Sequence, residues 1–172
     1  MAAEGLPDTI EKIEVIKGDE GVGTIDVNVP ASKAWEFYGT LELATVVGEG
    51  LPDTFEKIEV IKGDGGVGTI LEITLSLGAL AFFEQYTTVD HAKRVKVVEV
   101  VEGGFLNLGF NLLRFRFDIA EKGENSCITK GTVEYDLKEE AATNASSVAK
   151  IDASFLLNIM KVVAKHMTTT DT

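Results

Sequence analysis

Residues 80–120 read LAFFEQYTTVDHAKRVKVVEVVEGGFLNLGFNLLRFRFDIA. Polar and apolar positions alternate through most of this stretch. The alternation breaks near Asp90-His91-Ala92-Lys93 and again at Gly103-Gly104. Period two with turn residues at the breaks predicts three antiparallel strands, over 80–89, 94–102 and 105–120. In the third, Leu113, Phe115, Phe117 and Ile119 share one face, while Arg114, Arg116 and Asp118 take the other. Arginine seeks water, so the phenylalanine face points inward. The same logic turns Phe82, Tyr86, Thr88 and Val98 inward, and it brings Glu84 and Lys96 with them.

The pattern extends in both directions. Residues 55–62 alternate cleanly, and a glycine-rich connection at 63–68 leads to a further strand over 69–77. Residues 121–126 form a turn, and 127–137 the last strand. Upstream, 24–29 is a short first strand that ends at Pro30. Trp35 and Tyr38 at helical spacing mark a short helix, and a second covers 41–47. Between 138 and about 166, Val148, Ile151, Phe155, Ile159 and Val162 recur at steps of three or four, the stripe of one long amphipathic helix. The expected fold is α+β: a seven-stranded curved antiparallel sheet around a long C-terminal helix, with two short helices after the first strand. The space between sheet and helix would hold a ligand.

An inward carboxylate and an inward ammonium are costly unless paired or used. Desolvation raises a glutamate pKa and lowers a lysine pKa, so both approach neutrality and can exchange protons with a substrate. A simple hairpin turn at His91 sets Lys96 opposite Thr88. Glu84 then lies four residues further on, roughly 13 Å away at strand rise. That separation suits a small aromatic molecule between the two rather than a direct salt bridge. The bland alternative is that one or both side chains snorkel to the cavity mouth.

Residues 4–25 and 49–70 are nearly the same sequence, differing only at Ile10/Phe55 and Glu20/Gly65. The second copy runs on into the domain, whereas the first gives way to DVNVPASKAWEFY after Ile25. Two copies with unrelated continuations are not a solenoid. The expected organisation is a duplicated, poorly ordered extension over 1–20, a ligand-binding or catalytic domain over 21–168, and a tail at 169–172. The extension is also expected to compete with residues 55–62 for one position in the sheet, inviting exchange between molecules.

The chain has 172 residues, 45% of them hydrophobic, with 16 basic against 28 acidic residues and a net charge of −12. That charge repels phosphate backbones and anionic lipid, so nucleic acid and membrane partners are not expected. The lone Cys127 precludes an internal disulfide and reads as a buried apolar residue. The N-terminus shows no signal-peptide pattern, so a cytoplasmic location is expected, as a monomer or weak homodimer. The Asn144-Ala145-Ser146 sequon is accordingly not expected to be used. His91 and His166 lack ligand-spaced neighbours, and no metal is expected. The glycine-rich 63–68 lacks the lysine and hydroxyl of a phosphate loop.

Three stretches carry a resemblance: LPDTFEKIEVIKGDGGVGTI (51–70), VDHAKRVKVVEVVEGGFLNLGF (89–110) and EKGENSCITKGTVEYDL (121–137). In order and spacing they resemble the norcoclaurine synthase-like and norbelladine synthase-like members of the plant Bet v 1 (pathogenesis-related class ten) superfamily. The resemblance covers about 26–166 and implies a helix-grip fold. It also implies condensation of an aryl-ethylamine of the dopamine or tyramine type with an aromatic aldehyde. That reaction passes through an imine, Pictet–Spengler-like, and uses no cofactor. Lys96 matches the family lysine that assists carbonyl attack and dehydration, and Glu84 the glutamate that acts as base in cyclisation. Phe82, Tyr86, Val98, Leu113, Phe115 and Phe117 would line the substrate pocket. Two positions depart from the family: Phe82 stands at a tyrosine and Phe115 at an aspartate, which weakens the expectation of ring closure more than that of imine formation. Tyr86 is placed to supply a hydroxyl in part. The superfamily also holds non-catalytic carriers of hydrophobic metabolites or hormones, the alternative reading.

Overall fold

The computed structural model describes residues 10–16, 20–76, 80–137 and 153–169. Eight strands form one antiparallel sheet: β1 (Ile10–Ile16), β2 (Glu20–Val27), β3 (Phe55–Lys62), β4 (Ile70–Leu75), β5 (Ala81–Asp90), β6 (Val95–Gly103), β7 (Phe110–Gly123) and β8 (Ser126–Leu137). Helices α1 (Ala31–Tyr38) and α2 (Glu42–Gly50) follow β2, and α3 (Ala153–Thr169) comes last among the described elements. The spatial order is β1-β2-β8-β7-β6-β5-β4-β3. Strands β2 to β8 are the seven read from the sequence. β1 is an eighth, contributed by the first repeat copy, and it pairs with β2 rather than with β4. The two copies therefore occupy opposite edges of one sheet. The first part of the expected long helix, including Val148 and Ile151, lies outside the described residues, as does Asn144.

Identical residues adopt different structures in the two copies. Gly21-Val22-Gly23-Thr24 lie within β2 and pair with β8. Gly66-Val67-Gly68-Thr69 form a loop before β4, with Val67 68% exposed. The loop turns on Gly63, Gly65 and Gly68, whose φ values are +97°, +110° and +96°. The first copy has Glu20 where the second has Gly65, and a left-handed backbone is costly for glutamate. Context thus selects between two structures for one sequence.

Long-range packing follows from small residues. Gly23 and Gly131 lie directly opposite each other on β2 and β8. A Cβ on Gly131 would meet Met160 Sδ at 2.6 Å and Leu156 Cδ2 at 2.7 Å, and one on Gly23 would meet Leu157 Cδ1 at 3.3 Å. The glycine pair makes a flat seat for α3, whose Leu156, Leu157, Met160, Val163 and Met167 are buried. α1 closes one end, where buried Tyr38 packs on Phe117 at a ring separation of 5.3 Å. The start expected for the third strand, 105–109, is instead a 3-10 turn over Gly104–Leu108. Gly104 and Gly109, at the two ends of this turn, take positive φ, a left-handed backbone outside the extended region.

Candidate active site

The inner face of β5, β6 and β7 carries the predicted cluster. Phe82 and Tyr86 on β5, Val98 on β6, and Phe115 and Phe117 on β7 are buried and line one cavity, together with Glu84. The opposite wall comes from α2 (Leu43, Ala44, Val47) and α3 (Phe155, Leu156, Ile159). Phe155 links the two sides, 6.0 Å from Phe115 and 6.1 Å from Phe55 between ring centroids. The outward parity is also as read: Arg116 pairs with Asp118 at 3.0 Å, and Arg114 with Glu134. The cavity measures about 70 Å³. Drug-sized ligands occupy pockets of about 300–1,000 Å³, so a substrate-sized ligand requires these side chains to move apart.

Two expectations need correction. Leu113 is fully buried, 0% exposed, but it is not part of the cavity wall. It shares the face of Phe115 but sits two residues further along β7, opposite Tyr135. Second, Lys96 pairs with Val89 rather than Thr88. An irregularity between Tyr86 and Thr88 inserts one extra residue on β5. Such a bulge flips the faces beyond it, so Thr88 leaves the inner face. Tyr86 and Glu84 precede the bulge and keep theirs.

Lys96 is 0% exposed and is likewise absent from the cavity wall. Its ammonium donates to the carbonyl of Thr40 at 3.1 Å, just past the C-terminus of α1. It also stands over the ring of Tyr86, 3.8 Å from the centroid, in cation–π geometry. Both contacts favour the charged form. Burial dominates nonetheless and brings the Lys96 pKa down to about 7, against the opposing pull of the Glu84 charge. Glu84 is half-buried, lines the cavity and makes no hydrogen bond to a described residue. Burial lifts its pKa to about 7, with the Lys96 charge acting in the opposite direction. The two groups feel each other without a direct ion pair. A carboxyl and an amine, shifted toward neutrality from opposite sides, are what proton transfer near pH 7 requires.

Burial raises the Tyr86 phenol strongly, so it remains protonated. Cys127 is buried, and burial pushes its thiol up to about 11, so it is a packing residue rather than a nucleophile. His91 accepts a hydrogen bond from Trp35 Nε1 at 2.9 Å, and His166 packs edge-on against Phe37 at 5.4 Å. No cluster of three or more His, Cys, Asp or Glu is poised for a metal among the described residues. No described helix is long and apolar enough to cross a membrane.

Sequence reasoning missed the Thr40 carbonyl as the anchor of Lys96. A backbone acceptor leaves no trace in residue type. It also missed Phe55 as part of the wall. The apolar stripe of the C-terminal helix did point to Phe155 and Ile159.

An antiparallel sheet gripping one long helix, with an apolar cavity that holds one carboxyl between them, defines a small-ligand-binding helix-grip domain. The chain belongs to the pathogenesis-related protein Bet v 1 family, which it matches over residues 20–169. It is 46% identical over 125 residues to the norbelladine synthase of Narcissus pseudonarcissus, a match spanning 71% of this chain and 77% of that protein. It is 38% identical to S-norcoclaurine synthase 1 of Papaver somniferum across 80% of this chain, but spans only 41% of that protein's length. The fold superposes on norcoclaurine synthase of Thalictrum flavum, solved in complex with dopamine and hydroxybenzaldehyde, with a TM-score of 0.77 at 29% identity. That match covers 96% of this chain and 91% of the other.

Proposed function

We propose that this protein condenses a primary aryl-ethylamine with an aromatic aldehyde, without a cofactor. The observation that carries the reading is Glu84 in the aromatic cavity wall with Lys96 buried behind it, each drawn to a pKa of about 7. The kinship with norbelladine and norcoclaurine synthases supports it. Substrate amines arrive as ammonium ions, and ionised Glu84 takes the proton that frees the nitrogen. The nitrogen attacks the aldehyde carbon and forms the C–N bond while the carbonyl oxygen gains a proton. The carbinolamine then loses that oxygen as water, with protonated Glu84 or Lys96 as the acid, leaving an iminium. In a ring closure, an aromatic carbon would attack the iminium carbon and Glu84 would accept the displaced ring proton. Phe82 and Phe115 give the wall no hydroxyl or carboxyl of their own to orient a catechol, so release at the imine stage is the expected product.

The second reading is a carrier of a hydrophobic metabolite. It is favoured by the apolar lining and by the position of Lys96 behind the cavity wall rather than in it. Chiral analysis of product from dopamine and 4-hydroxyphenylacetaldehyde, with borohydride capture of any imine, separates the outcomes. A rate of imine or of single-enantiomer formation above background, lost in Glu84→Gln, supports the synthase. Background rates in both samples move the carrier to first place.

A further inference from the structure

Among the described residues, the cavity wall is apolar apart from two side chains, Glu84 and Tyr86. Its backbone offers no substitute on the sheet side. Phe82, Glu84, Val98, Phe115 and Phe117 each pair with strands on both sides, so their N–H and C=O groups are held in the ladder. The residues around the carboxyl are also dry: Phe82 and Tyr86 are 2% exposed, Phe117 4% and Phe115 5%. Admitting a ligand moves these side chains apart but does not change their chemistry. The proposed condensation claims most of the polar groups at hand. Glu84 takes the ammonium proton, and Glu84 or Lys96 serves as the acid. That leaves the Tyr86 phenol as the one other polar side chain of the described wall. Dopamine brings two ring hydroxyls, and a hydroxylated benzaldehyde brings another.

We propose that this cavity selects amines and aldehydes whose rings carry no hydroxyl. The inference rests on the condensation proposed above and narrows its substrates to an aryl-ethylamine and an aromatic aldehyde with bare or apolar-substituted rings. A hydroxyl buried without a partner in an apolar pocket costs a ligand about fivefold to a hundredfold in affinity. A bare ring leaves no group unpaired and still gains from burial against Phe82, Phe115 and Phe117. Glu84 then recognises the one charge that the amine carries, and the wall recognises the absence of any other polar group. The preference bears on the product as well. Without a hydroxyl to push electrons toward the attacking carbon, an aryl ring is a poor nucleophile, so the iminium is released rather than closed.

The test measures binding to the full chain and needs no turnover. Ligand-observed NMR titrations at neutral pH give dissociation constants for 2-phenylethylamine, tyramine and dopamine, which share one ammonium and differ only in ring hydroxyls. Phenylethylamine should bind most tightly and dopamine least, with at least about fivefold between them. Phe82→Tyr adds a phenol to the wall and should narrow that ratio. Phe115→Tyr serves in its place if the first variant does not fold. A dopamine affinity within about fivefold of that of phenylethylamine, or above it, overturns the proposal. So does a folded tyrosine variant that keeps the wild-type ratio, or a failure of all three amines to bind. Condensation is scored apart, by borohydride capture of product. Turnover by a protein that prefers dopamine sinks this inference alone, whereas selective binding of phenylethylamine without turnover sinks the synthase reading alone.

Discussion

Replacing Lys96 with methionine should stabilise this protein while removing its proposed acid. Methionine nearly matches the length of the lysine stem and fits a fully buried site. Burial shifts the Lys96 pKa from 10.5 to about 7. At about 1.4 kcal/mol per pH unit, the charged form therefore costs roughly 5 kcal/mol on folding. Against this, methionine leaves the Thr40 carbonyl without its donor, a loss of about 1–3 kcal/mol. The net expectation is a gain of about 2–4 kcal/mol near pH 6. The sign of the pH dependence follows from linkage. The folded-state pKa is depressed, so the full cost applies below about 7 and fades as pH rises toward 10.5. The lead of Lys96→Met should narrow by about 1.4 kcal/mol per unit over that window and be close to zero near pH 9. Glu84 acts in the same direction. Once the lysine charge is gone its pKa rises further, so its ionisation at high pH costs the variant more than wild type. Urea unfolding of both proteins at several pH values measures the difference. A variant less stable than wild type near pH 6, or a lead that does not narrow with pH, would refute the account of Lys96 as a strained buried cation.

Three further outcomes are expected. If ionised Glu84 and protonated Lys96 are both required, kcat/KM should rise with pH up to about 7 and fall beyond it, because both pKa values lie near 7; a flat profile between about pH 6 and 8 excludes that pair. Gly50→Ala places a Cβ into Val162 Cγ1 at the α2–α3 contact, so it should cost about 1–3 kcal/mol in thermal or urea unfolding, and less in a Val162→Ala background. Trp35, the single tryptophan, donates to Nδ1 of His91 at 2.9 Å. His91→Leu removes that acceptor and should shift Trp35 emission, and His91→Gln, which keeps an acceptor oxygen, should shift it less.

Much of the fold was legible because alternation reports a face directly. The phenylalanine–arginine alternation of β7 oriented the whole meander. It placed Phe82, Tyr86, Val98, Phe115 and Phe117 on the cavity with Glu84. What alternation does not report is a one-residue insertion in a ladder. The bulge after Tyr86 moved Thr88 outward and set Lys96 opposite Val89. Lys96 kept its inward face because parity on β6 is unaffected by a bulge on β5. The position of Leu113 failed for a different reason: sharing a face with Phe115 says nothing of where along the strand the cavity ends. The anchoring of Lys96 by Thr40 depends on where α1 stops, which residue type at position 40 does not encode.

The placement of the two repeat copies at opposite ends of the sheet bears on how the chain finds its fold. Each copy closes a local hairpin: Ile16 meets Glu20 across three residues, and Lys62 meets Ile70 across seven. Docking of the first copy on β4 would bring the counterpart of Lys62, one residue past Ile16, to Ile70 instead, and chain-closure entropy disfavours that longer loop by roughly 2–3 kcal/mol. Proximity thus sorts two almost interchangeable strands within one molecule. Between molecules no such loop penalty applies, and only Phe55 and Gly65 distinguish the native strand from its double. Correct assembly should therefore depend on concentration during refolding, with dilute chains choosing their own partners and crowded ones free to borrow a neighbour's.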